Sequence, residues 1–165
     1  MLIAIISDIH DNLLNLEKCL NWCKSQKINT MICCGDVCDA DTLKFLTKNF
    51  PGKIFLVEGN GETFTQDDLK GLKNIDYRQE AGVEKISGLN LGFCHKNRDT
   101  NKVISLSSAA LDFIFFGHSH KPWLEKRDQT FFANPGNLSG TFYQATFATL
   151  DTKNKNLELK ILAHL

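Results

Sequence analysis

"FFGHSHKP", residues 115–122, closes the apolar run Phe113, Ile114, Phe115 and Phe116 with two histidines one serine apart. A short continuous apolar run bounded by glycine reads as a strand buried on both faces. His118 and His120 therefore stand where a strand leaves the core. The 165-residue chain has only five histidines, so this pairing asks for a chemical reason.

The same arrangement recurs toward the amino terminus. "LIAIIS", 2–7, reads as a buried strand and is followed by Asp8 and His10. "TMICC", 30–34, leads into Asp36 of "CCGDVCD", and "KIFLVE", 53–58, leads into Asn60 of "VEGNGE". "LNLGFCH" ends in His95. Amphipathic helices are expected over 13–25, with Asn12 as N-cap, and over 42–50, stopped by Pro51 and Gly52. This βαβαβ order predicts a parallel sheet. In such sheets ligands bind beyond the carboxyl ends of the strands, so Asp8, His10, Asp36, Asn60, His95, His118 and His120 are expected to converge there. On extended backbone, the i, i+2 spacing of "DIH" and "HSH" aims each pair to one side.

Further along, a short helix is expected around 67–72, a hairpin over 82–95 turning at Ser87 and Gly88, and a helix over 102–111. A further buried strand is expected over 112–117; from 123 onward strands are expected over 123–127, 130–134, 141–151 and 157–163, and their short alternating pattern predicts that this half is antiparallel. No long linker or internal repeat interrupts the chain, which reads as a single domain, 1–165, with two packed sheets.

Composition narrows the function. Nineteen basic residues balance nineteen acidic ones, so no global field draws the protein to nucleic acid or to an anionic membrane. The amino terminus lacks a basic leader and no apolar segment reaches the ~20 residues of a membrane span, so a cytoplasmic protein is expected. Six cysteines lack the paired spacing of zinc modules. Cys19 and Cys23 follow the helical period of Leu13, Leu16 and Leu20, and the cysteines are expected to be core thiols.

In their order along the chain, "SDIH", "GDVCD", "GN", "CH" and "GHSH" resemble the motif series of the calcineurin-like metallophosphoesterase superfamily. "SDIHDNLLNLEKCL" and "NPGNLSG", 134–140, resemble its small single-domain bacterial and archaeal phosphodiesterases, which also resemble the retromer scaffold subunit. The resemblance implies a four-layer α/β/β/α sandwich of two mixed sheets flanked by helices. It also implies two divalent cations, Mn2+ foremost with Ni2+, Fe2+ or Zn2+ as alternatives. Asp8, His10 and His120 would hold the first, Asn60, His95 and His118 the second, and Asp36 would bridge them. Asp36, Asn60 and His10 are the catalytic residues so implied, for in-line attack by a metal-bridging hydroxide on a small phosphodiester. Imidazole and carboxylate donors together suit these metals better than Ca2+.

The chain departs from the family pattern at two places. Where the series has G-N-H-[DE], this sequence reads "GNGE", so Gly61 replaces a histidine implied to contact phosphate and protonate the leaving group. The small phosphodiesterases commonly lack that histidine too. General-acid help is worth ~100 to 10,000-fold, so its loss predicts diesters with good leaving groups as substrates and alkyl monoesters as poor ones. Lys96 replaces a usual glycine and either pairs with substrate phosphate or projects into solvent. Asn12, Gly61 and Lys96 are thus the expected substrate-side positions, Asn12 serving either as a plain N-cap or at a helix terminus that donates to phosphate. Asp39 either supports a ligand histidine or caps the helix near Thr42. A protein-binding scaffold of the same fold is the alternative function, against which all seven donors are retained. A nucleic-acid substrate ranks lower for want of a basic groove. Relatives are often dimers or tetramers, and the aromatic segment around Trp123, Phe131 and Phe132 suits an interface or a core equally.

Overall fold

The structure, a computed structural model, describes residues 1–165. Strand β1 (Leu2–Ile6) lies at the centre of the first sheet, and its alternation divides two cores. Ala4 and Ile6 face one cluster with Leu16, Cys19, Leu20 and Cys23 of helix α1 (Leu13–Ser25) and Leu43 and Leu46 of helix α2 (Ala40–Asn49). Ile3 and Ile5 face the opposite way, into a second cluster shared with the other sheet. A period of two in a strand buried on both sides makes this division unavoidable.

Beside β1 run β2 (Thr30–Cys33), β3 (Lys53–Leu56) and β4 (Ile75–Tyr77), all parallel, as the βαβαβ order requires. The other edge of β1 is taken by the late strands β10 (Thr146–Asp151) and β11 (Asn156–Ile161), both antiparallel to their neighbours. The first sheet is therefore mixed, in the order β11-β10-β1-β2-β3-β4.

The second sheet has the order β5-β6-β7-β9-β8, built from β5 (Ala81–Ile86), β6 (Leu89–Cys94), β7 (Phe113–Phe115), β8 (Trp123–Arg127) and β9 (Thr130–Asn134). Phe113 and Phe115 join the core between the sheets, whereas Ile114 and Phe116 pack outward with Val103 of helix α3 (Thr100–Leu106). Four layers result, with α1 and α2 outside one sheet and α3 outside the other. No helix is long and apolar enough to cross a membrane.

The expectation of antiparallel strands from 123 onward is corrected at β9, which runs parallel to β7. β5 with β6 and β8 with β9 are antiparallel, but β6, β7 and β9 run parallel. α3 crosses over between β6 and β7, and a helical crossover returns the chain in the same direction. Residues 66–71 form no helix. Three successive turns, with Asp68, Lys70 and Leu72 donating to the carbonyls three residues back, replace it and lead into the unanticipated β4. α3 stops at Leu106 rather than at 111, because Ser107 binds Ala109 through its hydroxyl and competes for the backbone. β10 begins at Thr146, five residues later than expected, since Asn137 Oδ1 holds Gly140 and Thr141 in a turn. The hairpin turn falls at Ser87 and Gly88 as expected, both at positive φ.

Candidate metal centre

Past the strand ends Asp8, His10, Asp36, Asn60, His95 and His120 approach one another, and five of the seven expected donors stand on left-handed rather than extended backbone. Asp8 (φ 53°), His10 (φ 46°), Asp36 (φ 55°), His118 (φ 67°) and His120 (φ 59°) all occupy the left-handed region. Five such non-glycine residues, each costing about 1–2 kcal/mol, turn the chain sharply where straight strands would carry the side chains apart. Hydrogen bonds hold the turns together. Asp8 N–H donates to Gly35 O, and Asp36 O accepts from both Ile9 and His10. His118 N–H donates to both carboxylate oxygens of the fully buried Asp8, at 3.1 and 3.0 Å.

The side chains form two adjoining groups. In one, His10 Nε2 and His120 Nε2 lie 3.1 Å apart, and His120 Nε2 lies 3.4 Å from Asp8 Oδ1. In the other, His95 Nε2 lies 3.4 Å from Asp36 Oδ2 and 3.1 Å from Asn60 Oδ1. Asp36 Oδ2 also approaches His10 Nε2 at 3.5 Å and so faces both groups. The ring of His118 stands edge-on to His95 at 5.1 Å, but His118 is exposed, and its nitrogens join neither close group.

Close backbone approach makes this assembly feasible. A Cβ on Gly117 would strike Ser7 Oγ and lie 2.6 Å from Asp8 Oδ2. At Gly35 (φ 93°) it would lie 2.7 Å from Gly59 N and 2.9 Å from His95 Nδ1. The "NPGN" stretch then supports the histidine loop from below. Asn134 donates to Gly117 O and Ser119 Oγ, and Asn137 donates to His120 O.

The donor set fits divalent cations. His95 Nδ1 faces Cys34 O at 2.7 Å and must carry the ring proton of a neutral imidazole. Its Nε2 lone pair is then left facing Asp36 Oδ2 and Asn60 Oδ1, both acceptors. Burial lowers the pKa of His95, outweighing Asp36, so imidazolium does not resolve the conflict, whereas a cation does. His120 Nδ1 likewise faces Thr141 O, at 3.4 Å. The carboxylates differ in character. Burial pushes Asp8 up to about 6, whereas at Asp36 the opposing effect of burial is outweighed by His95, Gly61 N–H and His10, which hold it low. Burial also lowers His10 and His118.

The three substrate-side positions have distinct surroundings. Asn12 is engaged at both ends, its Oδ1 accepting from Asn15 N–H as an N-cap and its Nδ2 donating to Ser139 O. Gly61 N–H donates to Asp36 Oδ1 at 2.8 Å. Lys96 lines a polar cleft of about 260 Å³ with His95, Glu58, Glu80 and Asp99. Asp39 caps α2, accepting from Thr42 N–H, and that amide lowers its pKa.

All six cysteines are buried and unpaired, as expected of core thiols. Cys38 adds something the sequence reading missed. Its Sγ lies 3.5 Å from His10 Nδ1, and would lie 3.2 Å from a Cβ at Gly61. The sulfur therefore borders the space that a side chain at position 61 would enter. The missed signal was the extra cysteine inside "GDVCD", next to the donor loop rather than within a periodic helix. Glu62 was noted only as a motif member, yet its Oε2 is buried without a partner, and burial followed by Asp36 raises its pKa to about 7.

Known proteins share this fold. Phosphodiesterase MJ0936 of Methanocaldococcus jannaschii is 26% identical over 159 residues, 94% of this chain and 95% of the relative. A solved archaeal phosphodiesterase superposes with a TM-score of 0.86 at 25% identity, covering 98% of this chain and 99% of that one. Vps29 of Chaetomium thermophilum shares the fold at a TM-score of 0.72 and 19% identity, covering 97% and 96%. The profile of the calcineurin-like phosphoesterase superfamily domain matches residues 1–155, and the chain belongs to that superfamily.

Proposed function

We propose that this phosphoesterase is a metal-dependent phosphodiesterase acting on small phosphodiesters at a two-metal site. Asp8, His10 and His120 would hold one cation, Asn60, His95 and His118 the other, and Asp36 both. The observation that carries the reading is the position of Asp36 Oδ2, 3.5 Å from one imidazole nitrogen and 3.4 Å from another, at the junction of the two groups. When bound, two divalent cations supply an acidified water and positive charge for the phosphoryl oxygens. Mn2+ is the first candidate, followed by Ni2+, Fe2+ and Zn2+.

The chain's own contribution is placement. The left-handed turns hold the donors together before any cation arrives, so little reorganisation accompanies binding. Cys34 O fixes the tautomer of His95, and Thr141 O favours the corresponding tautomer of His120. Asp36 is the carboxylate kept ionised, and the lowered pKa of His10 keeps its ring neutral and able to donate a lone pair. Gly61 offers no proton to a leaving group, which favours diesters whose leaving group departs unaided.

Chelator-stripped protein should be inert toward bis(p-nitrophenyl) phosphate, recover on addition of Mn2+, and fail to recover in His95→Ala. Glycerol phosphate should turn over far more slowly than the diester. Faster hydrolysis of the alkyl monoester would overturn the leaving-group argument. No recovery with any of the four metals would favour a protein-binding role, to which the likeness to Vps29 lends support.

A further inference from the structure

Beside the histidine loop lies a groove of about 430 Å³ whose lining includes Ser119, Phe116, Trp123, Tyr143, Lys121 and Arg127. Its link to the candidate metal centre is the histidine loop, since Ser119 in the groove wall is flanked in the chain by His118 and His120. Trp123 and Tyr143 are half exposed, at 51% and 46%. Next to Tyr143, Phe142 is 88% exposed and sits at φ 66°, with its ring centred 5.8 Å from that of His120.

Nothing in the fold accounts for Phe142. A bulky residue rarely accepts a left-handed backbone, and an exposed phenyl returns none of the burial that offsets such a cost. The loop that carries it is nonetheless fastened at its base. Asn137 Oδ1 accepts from Ser139 Oγ, Gly140 N–H and Thr141 N–H. Phe142 thus presents its ring beside His120, and Trp123 and Tyr143, the latter its chain neighbour, present theirs in the groove. Of the two cations in the groove, Arg127 is paired with Glu125, and Lys121 makes no ion pair. The cleft that His95 and Lys96 line has no hydrophobic residue in its wall, so it and the groove are chemically unlike.

We infer that this groove is the subsite for a planar aromatic substituent of the substrate, so that the substrate class is aryl or nucleoside phosphodiesters rather than dialkyl ones. The ring stacks on Trp123, Tyr143 or Phe142, and Lys121 stands free to meet a further anionic group. The cleft lined by Glu58, Glu80 and Asp99 takes the polar substituent. This assignment rests on the phosphodiesterase reading.

Phenylphosphonate and methylphosphonate resist hydrolysis and, at a pH where both are dianions, carry the same charge; one bears a ring where the other bears a methyl group. Isothermal titration of Mn2+-loaded protein should show the phenyl compound binding about 3- to 10-fold tighter, the span expected of one aromatic contact. The preference should fall toward unity in Tyr143→Ala and in Phe142→Gly. The glycine variant should also hold or raise the melting temperature, since glycine adopts positive φ freely, and this separates lost recognition from lost folding. Equal affinity for the two phosphonates in a protein that hydrolyses bis(p-nitrophenyl) phosphate overturns the subsite alone. Failure to hydrolyse the diester, together with failure to bind either phosphonate, overturns the phosphodiesterase reading and the subsite with it.

Discussion

Replacing Glu62 by glutamine isolates the electrostatic cost of the carboxylates gathered at the strand ends. Glu62 reaches inward beside Asp36, its Oε1 3.4 Å from Val37 N and its Oε2 buried without a partner. Burial first, and Asp36 after it, raise its pKa from 4.5 to about 7. The folded protein therefore holds this proton more tightly than the unfolded chain does. The resulting stabilisation is complete below pH 4.5 and is lost as pH rises through about 7. Each pH unit of that gap is worth about 1.4 kcal/mol. Deprotonation then costs about 3 kcal/mol, reduced to about 2 kcal/mol because the carboxyl keeps partial access to water. Glutamine preserves the shape and does not titrate. Urea denaturation of chelator-stripped protein should find Glu62→Gln and wild type equal near pH 4.5 and the variant more stable by about 2 kcal/mol at pH 8, or roughly 4–8 °C in melting temperature. Because the measured quantity is a difference, the titration of groups that do not sense Glu62 cancels. A difference that stays flat with pH, or that favours wild type at pH 8, refutes the reasoning.

The remaining tests concern close contacts and the cleft. Gly117→Ala drives a methyl group into Ser7 Oγ and Asp8, so it should abolish the Mn2+-dependent rise in melting temperature and destabilise the stripped protein by about 1–3 kcal/mol. Gly61→Ala brings a methyl to 3.2 Å from Cys38 Sγ and 3.3 Å from Asp36 Oδ1 and should cost about 1 kcal/mol by thermal denaturation. Cys38→Gly added to it should restore that loss, because Cys38 sits at φ 81° and glycine relieves both the contact and the strain. Lys96→Ala should raise KM for bis(p-nitrophenyl) phosphate several-fold at low salt and leave kcat little changed, whereas unchanged KM would show that Lys96 serves only solvent.

The donors were legible because each follows an apolar run, and an aspartate or histidine at that place cannot continue the strand into the core. Their convergence was legible for a wrong local reason. Extended backbone was invoked for Asp8 and His10 and for His118 and His120, yet all four sit at positive φ, a choice fixed by tertiary hydrogen bonds such as His118 N–H to Asp8. The parallel direction of β7 follows from the helix expected between β6 and β7. The parallel approach of β9 to β7 left no such trace, because β8 and a turn intervene. The helix expected over 67–72 failed because Leu69 and Leu72 reach the core as partly buried residues from a chain of turns, which apolar spacing alone does not distinguish from one helical turn. The role of Cys38 depends on contacts with His10 and Gly61, and no single segment encodes them.

The antiparallel return of β10 to the edge of β1 has a consequence for how the chain is made. β1 is made well before β10, yet its register of Leu2–Ile5 with Asp151–Ala148 is supplied by that strand, more than a hundred residues later. Until that segment emerges, β1 presents an unpaired edge together with the apolar side chains of Ile3 and Ile5, a template for association with another nascent chain. β2 and β3 can assemble on its other side meanwhile, so the early intermediate is a half-built sheet with one open flank. A high sequence separation of this kind slows folding more than it affects the stability finally reached. Pausing of synthesis before Thr146 would therefore favour aggregation over a soluble fragment, and β10 and β11 act as the cover that ends this exposure.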